Sequence, residues 1–598
     1  RDLGAPDRRL DLFLFTFVVI AVVAICLSRS RNGVLSMLVA GAIVAAVLHR
    51  TKYLRGMGWS LGGLAALALI VLMMVGFDPV YDRMATLDDD TVFDARLAIA
   101  RDALSAFGKF AWLGSGQGTF NDVFPLFDTT MRPGRAEHAE NQYVELLVET
   151  GLVGASLAFA FLLAVVVPWL RRLKNHRVAG DAALFGLLFG VAAVLFHATS
   201  DFGLRIPAVA TLTIVCLGVV AGQTGRVLDG VLARRVAAVV ALLVAGGLAW
   251  QLPAIEAQRV AYTCADAAKD LRVRADKATT VADLLSVREQ QRALLTTAIL
   301  AVPERADLQV AYATAVWQWK ATSEGVEFVP AKGQLSEEQA ARLKQAAGLV
   351  QHGLLEARRW CPVRGDLWSL AGQFGSEWLD QPGAAAWVER GYRFAPENAN
   401  TCLAWARQLL KQGDDKGAAA MFERAIRMGN RMQDVLGALV LGLDRTDLAL
   451  QVARANTRWL HWFVQKFGKD PAHQEVAAEA RRDLLARLQQ AVQEPTPEAW
   501  MLVGLAELEK EEGHDEAAIR HYRSYLSMAP TSGVRLSLAL LLEKVGDPEA
   551  ATAEAQRLLN YQPSNGGGKP LLQRLRLAMP KKKEAPELPK ATEAPKGN

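Results

Sequence analysis

The stretch "NTCLAWARQLLKQGDDKGAAAMFERAIRMGN", residues 400–430, reads as two helices joined by a tight turn. Apolar and small residues recur at helical spacing on both sides of Gly413, and glycine ends a helix because it accepts the left-handed conformation without steric cost. The spacing recurs: Pro362, Pro396 and Asn430 follow one another at intervals of 34 residues, and Pro530 and Pro563 stand 33 apart. A fixed period of this size marks a stack of helix pairs, each of which can bury its apolar face only against its neighbours.

Trp405, Gly413, Ala418, Phe422 and Ala425 stand at the offsets of a tetratricopeptide repeat, and the stretch resembles that family. The segment "AWMLVGLAELEKEEGHDEAAIRHYRSYLSMAP" repeats the pattern with Gly513, Ala518, Tyr522 and Pro530, and the next unit follows with Gly546, Ala551 and Pro563. The resemblance covers most of residues 340–565 and implies a soluble α-solenoid that offers a surface to a protein partner. Residues 254–339 read as a helical connector or degenerate leading repeats, with Pro303 ending one helix, and 431–495 are equally degenerate. The end, 566–598, is expected to be disordered, since its Lys, Pro and Glu carry no apolar period. Trp360, Trp368, Trp387, Trp405 and Trp500 read first as fillers of helix-pair cores and second as platforms for sugar rings.

Residues 1–253 are of another kind. Seven apolar stretches, roughly 11–28, 33–49, 58–77, 152–170, 183–200, 206–222 and 236–252, approach the length needed to cross a bilayer. The expected fold class is therefore all-α: a polytopic transmembrane helical bundle followed by the solenoid. The chain begins at Arg1 rather than Met, and an N-terminal part, with further helices, is expected to precede it. Lys and Arg concentrate in alternate connections: Arg1–Arg9, "HRTKYLRG", "RRLKNHR" and "RVLDGVLARR". The positive-inside rule places these in the cytoplasm, and places "SRSRNG", the loop 78–151, "SDFGLR" and everything after 253 on the opposite side. The net charge of +5 thus reports on topology and does not suggest nucleic acid. The five cysteines form no C-x-x-C and support neither a zinc site nor a disulfide framework.

The loop 78–151 is long enough to be functional or disordered, and its contents argue for function. "VFDARLAIARDALSAFGKFAWLGSGQGTF" holds an amphipathic helix with Arg96 and Arg101, then a turn with Gly114, Gly116 and Gly118. "RAEHAENQYVELLVETGLVG" follows, with His138 and Asn141 three residues apart and able to address one small volume. These elements, in this order, resemble the signature region of the O-antigen ligase and polymerase superfamily; "HATSDFGLRIPA" and "SRSRNG" resemble two further elements of it.

The resemblance implies a multi-pass protein of the bacterial inner membrane, with its catalytic loop and repeats on the periplasmic side. It would move a glycan from undecaprenyl pyrophosphate to an acceptor hydroxyl on a glycan, a lipid or a protein. No cofactor and no metal are expected. By this match Arg31 and Arg29 bind the pyrophosphate with Arg96, His138 orients or deprotonates the acceptor, and Asn141 fixes a sugar or the His. Arginine suits the task because its planar fork binds phosphate oxygens in pairs, and a neutral imidazole accepts a hydroxyl proton. Plainer alternatives stand beside each: Arg29 and Arg31 snorkelling to the interface, Arg96 pairing with Asp94 or Asp102, the three glycines making only a tight turn. His197, Asp201 and Arg205, at the end of a membrane stretch, are secondary candidates. Asp88, Asp89 and Asp90 are the one possible metal site, weak because consecutive carboxylates in a loop diverge. A polysaccharide polymerase and a protein O-glycosyltransferase are rivals within the class, and a non-catalytic membrane-anchored scaffold is a rival from outside it.

Overall fold

The computed structural model describes residues 20–21, 24–25, 30–50, 90–130, 135–174, 182–224, 231–326, 335–429, 431–494 and 497–578. Among them every regular element is helical. The apolar stretches 11–28 and 58–77 and the end of the tail, 579–598, fall largely or wholly outside the described residues, as do Arg29, Asp88 and Asp89.

The chain forms two compact units, one of Arg1–Gly413 with Arg427–Gly429, the other of Asp414–Ile426 with Asn430–Asn598. In the first, the apolar helices are α1 (Arg31–Arg50), α3 (Gln142–Lys174), α4 (Ala182–His197) and α5 (Pro207–Thr224), with α2 (Asp90–Lys109) amphipathic between the first two. The apolar four close on Val165, Trp169, Leu184, Leu188, Val191, Leu217 and Val220, with Val44 and Val47 of α1 against them. Their outer faces keep large apolar side chains exposed, Leu157, Phe159, Phe161, Leu212 and Ile214 among them. One helix among the described residues, Gln142–Arg171, is long and apolar enough to cross a membrane. Asn32–Val47, Leu184–His197 and Pro207–Gly222 are shorter apolar helices.

Two boundaries differ from expectation. The stretch 236–252 does not end at Pro253: helix α6 runs from Val231 to Ala275 through that proline. Proline removes one helical hydrogen bond and costs about 3 kcal/mol or more in a helix interior. Burial of Ala261, Ala268 and Leu271 in the first unit's core, beyond the proline, offsets that loss. The array also runs past 565, because Leu571, Leu572 and Leu575 of helix Gly568–Ala578 are buried in the core of the last repeat. A solenoid needs such a cap, since its terminal pair otherwise leaves an apolar face in water.

After α6 the first unit continues with helices Val281–Ala301, Ala306–Ser323, Glu337–Ala357, Gly365–Glu377, Ala384–Phe394 and Ala399–Lys411, each packed on the next. Ser336 and Gln339 close a capping box at the start of the third of these. Trp368 lies in a helix-pair core, its indole donating to the Pro362 carbonyl at 2.6 Å. Two guanidiniums, Arg358 and Arg390, each 4.6 Å from the Trp368 ring, cover it. The second unit pairs Ala499–Glu512 with Asp515–Met528 and Ser532–Val545 with Pro548–Tyr561. The repeat positions behave as the period requires: Ala418, Phe422, Ala425, Ala518, Tyr522 and Ala551 are buried, and Gly413, Gly513 and Gly546 hold left-handed φ of 80°, 85° and 87°.

Candidate functional site

Four helix ends meet at the site. Asn32, at the start of α1, donates its side-chain amide to the His197 carbonyl at 2.9 Å. The Gln142 amide, at the start of α3, donates to the Ala198 carbonyl at 2.9 Å, and the Tyr143 hydroxyl donates to the Leu195 carbonyl at 2.7 Å. The turn after α4 then leads through Gly203–Arg205 into α5. Three stretches separate in sequence, residues 30–33 of "SRSRNG", "HAENQY" and "HATSDFGLR", are thereby brought to one end of the helices. Arg31 opens α1 next to Asn32.

The Gly-rich turn is a clasp on α3. That helix breaks at Gly151, where φ is 62° and ψ −169°, and the backbone groups freed there find partners in the turn. Leu152 and Val153 donate to the Ala111 and Trp112 carbonyls at 2.7 and 3.1 Å, while Ser115 and Gly116 donate to the Val148 and Glu149 carbonyls at 2.9 and 3.0 Å. A Cβ on Gly114 would lie 2.1 Å from the Glu149 carbonyl oxygen, so only glycine fits that approach. The Gly118 and Phe120 amides donate to Glu149 Oε1 at 2.9 and 3.2 Å. With these donors engaged by the protein, the turn's evident task is to hold α3 and Glu149 in place.

His138 is anchored from two sides. Its Nδ1 lies 2.9 Å from Glu145 Oε1, and its ring stacks on Phe202 with centroids 4.2 Å apart and planes 21° from parallel. Its side chain remains 29% exposed, against 1% for Glu145. Glu145 Oε2 accepts from the Ala139 amide at 3.0 Å. Arg205 joins Glu145 Oε1 at 3.3 Å and makes a closer contact with Glu149. Asn141 Oδ1 accepts from the Tyr143 and Val144 amides at 3.0 and 3.1 Å and so caps α3. Arg96, 49% exposed, pairs with Glu140 at 3.6 Å; the side chain of Asp94 lies outside the described residues. Asp102 instead accepts from the Thr129 amide at 2.8 Å and from the Thr129 hydroxyl. His197 stands 3.7 Å from Asp201, apart from the Arg205 contacts.

Glu145, Glu149 and Phe202 were missed in the sequence. The signal for the two carboxylates was present: acidic residues four apart at the start of an otherwise apolar helix, where ionisable groups are costly and usually paired. Nothing in the sequence pointed to the stacking of Phe202.

The segment after the Gly turn also meets the repeats of its own unit. Asp122 pairs with Arg135 at 2.6 Å and lies 3.8 Å from Arg364, while Arg364 holds Asp366 at 2.9 Å. Burial pushes the Cys361 thiol up to about 11, with the Asp122 carboxylate adding to the effect.

Residues 16–159 match the Wzy_C family, O-antigen ligase. The O-antigen ligase match contains Arg29, Arg31, Arg96, the Gly turn, His138 and Asn141, and ends before His197. Comparison with curated proteins returned no match. Among solved structures, the chain is similar to the Cut9–Hcn1 hetero-tetramer of the APC/C at 14% identity, covering 85% of this chain and 89% of that one with a TM-score of 0.22. It is also similar to Pseudomonas aeruginosa pilF at 13% identity (36% and 97% covered, TM-score 0.20). Yeast Tom70 follows at 9% identity, with 71% and 88% covered and a TM-score of 0.23. At such scores these likenesses carry no argument; the repeat assignment rests on the period and the buried positions above.

Proposed function

We propose that the chain is a multi-pass membrane glycosyltransferase that transfers a glycan from undecaprenyl pyrophosphate to an acceptor hydroxyl on the extracytoplasmic face of a bacterial inner membrane. The observation that carries this reading is the anchored, half-open His138 within the segment matched to the O-antigen ligase family. The exposed apolar faces of α1, α3, α4 and α5 support the membrane part, since a bundle in water rarely leaves such a belt uncovered. In the reaction, the acceptor oxygen forms the new bond to the anomeric carbon, and its proton passes to His138 Nε2. The bond from the anomeric carbon to the pyrophosphate oxygen breaks, and its electron pair leaves with the pyrophosphate. Arg31 and Arg96, with Arg29, would hold that charge, Arg96 after exchanging Glu140 for phosphate. The acceptor is a glycan, lipid or protein, and the repeats would present or recruit it.

A transfer assay in proteoliposomes tests the reading, with undecaprenyl-pyrophosphate-linked glycan extracted from a strain deleted for this gene as donor and that strain's envelope fraction as acceptor. His138→Ala is expected to bind donor normally and to lose turnover by roughly 10²–10⁴-fold. Arg96→Ala is expected to raise the donor KM, and Arg96→Lys to restore it only in part because the fork is gone. EDTA should leave the wild type active. Normal turnover by His138→Ala would remove the base, and absence of any transfer by wild type would favour a scaffold.

A further inference from the structure

The geometry points to Glu145 as the positioning residue of His138, the group that fixes which imidazole nitrogen acts. This inference rests on the reading of His138 as the base. Glu145 is 1% exposed, and each of its oxygens has a directed partner: Oε1 takes His138 Nδ1 at 2.9 Å, and Oε2 takes the Ala139 amide at 3.0 Å. An ionised carboxylate only accepts hydrogen bonds, so the imidazole hydrogen must sit on Nδ1 and the lone pair on Nε2. Phe202, stacked 4.2 Å away, blocks one face of the ring and restrains its tilt.

A carboxylate this deep needs charge compensation, and Arg205 provides it by bridging Glu145 and Glu149. Glu145 is the charged group in contact with the imidazole, and Arg205 links it to Glu149. When Nε2 takes the acceptor proton, the new imidazolium faces Glu145 directly, the arrangement by which a carboxylate orients and supports a histidine base.

Two measurements on the purified protein test this. In spectra of protein labelled with ¹⁵N-histidine, the signals lost in His138→Ala identify the residue, and its neutral form should carry the proton on Nδ1. An Nε2-protonated tautomer would overturn the proposal. In the transfer assay, Glu145→Gln should lower kcat by at least about 10²-fold with the donor KM within about twofold, since a neutral amide no longer fixes the tautomer. Glu145→Asp should recover part of that loss. Combined with His138→Ala, Glu145→Gln should cost nothing further, because a group acting only through the imidazole is silent once the imidazole is gone. An equal loss in both backgrounds would make Glu145 merely structural. Full activity of Glu145→Gln with an inactive His138→Ala would defeat this inference alone, whereas full activity of His138→Ala would defeat the base itself.

Discussion

Glu397 shows what burial does to a single charge. It is 8% exposed, and its Oε2 has no hydrogen-bond partner among the described residues. Burial raises its carboxyl above the ordinary range, opposed in part by its own backbone amide and by Arg135, and assisted by Asp128 and Asp366. A raised folded-state value means that the fold holds the proton more tightly than the unfolded chain does. The associated stability is complete below the ordinary carboxylate range and is lost as the pH climbs through the raised value. Glu397→Gln should therefore raise the melting temperature at pH 7.5 and leave it nearly unchanged at pH 4. Equal shifts at both pH values would show that the carboxyl is not the source. At this same scale the sequence exposed His138 but hid its partner, because Glu145 becomes significant only once α3 turns it toward residue 138.

At the scale of elements, the clasp between the Gly turn and the break in α3 decides where His138 sits, since Glu145 and Glu149 lie on the first two turns of α3, before the break at Gly151. Gly114→Ala would push a methyl to 2.1 Å from the Glu149 carbonyl oxygen, so the turn has to move and four cross-element backbone bonds weaken. Gly118, also at positive φ, has open space where its Cβ would be. The expected outcome is a loss of more than about 3 kcal/mol for Gly114→Ala and about 1–2 kcal/mol, the left-handed penalty alone, for Gly118→Ala. Thermal melts in detergent measure both, and equal losses would contradict a clasp. The three alternate glycines were visible in the sequence; what they grip was not, because the gripped carbonyls belong to a helix about 35 residues further on.

For the molecule as a whole, the alternation of basic connections remains the basis of the proposed orientation. With the five native cysteines replaced, Trp112→Cys and Leu349→Cys, both at well-exposed positions, should react with a membrane-impermeant thiol reagent in intact spheroplasts. Lys174→Cys, at the basic C-terminal end of α3, should react only after lysis. The opposite pattern would invert the bundle and put the His138 end of the helices in the cytoplasm. The ion pairs from Asp122 to Arg135 and Arg364 also matter at this scale, because they tie the first repeats to the site loop within one unit. Charge partners more than 200 residues apart carry no periodic signal, so this junction could not be anticipated.

The sequence alone determined what depends on local periodicity: helices in place of strands, the 34-residue stack with its small residues and glycine stops, the apolar stretches, and the candidates His138, Arg96 and the Gly turn. Those follow from spacing along one helix or across one turn, where side-chain direction is set by the backbone period. The tertiary structure decided what depends on two distant backbones meeting. It set the bridging of two buried carboxylates by Arg205 and the stacking of Phe202 on His138. It also continued α6 through Pro253 and added a capping helix beyond residue 565. In each case the stabilising partner lies on another element, and a contact of that kind exists only once both elements are in place.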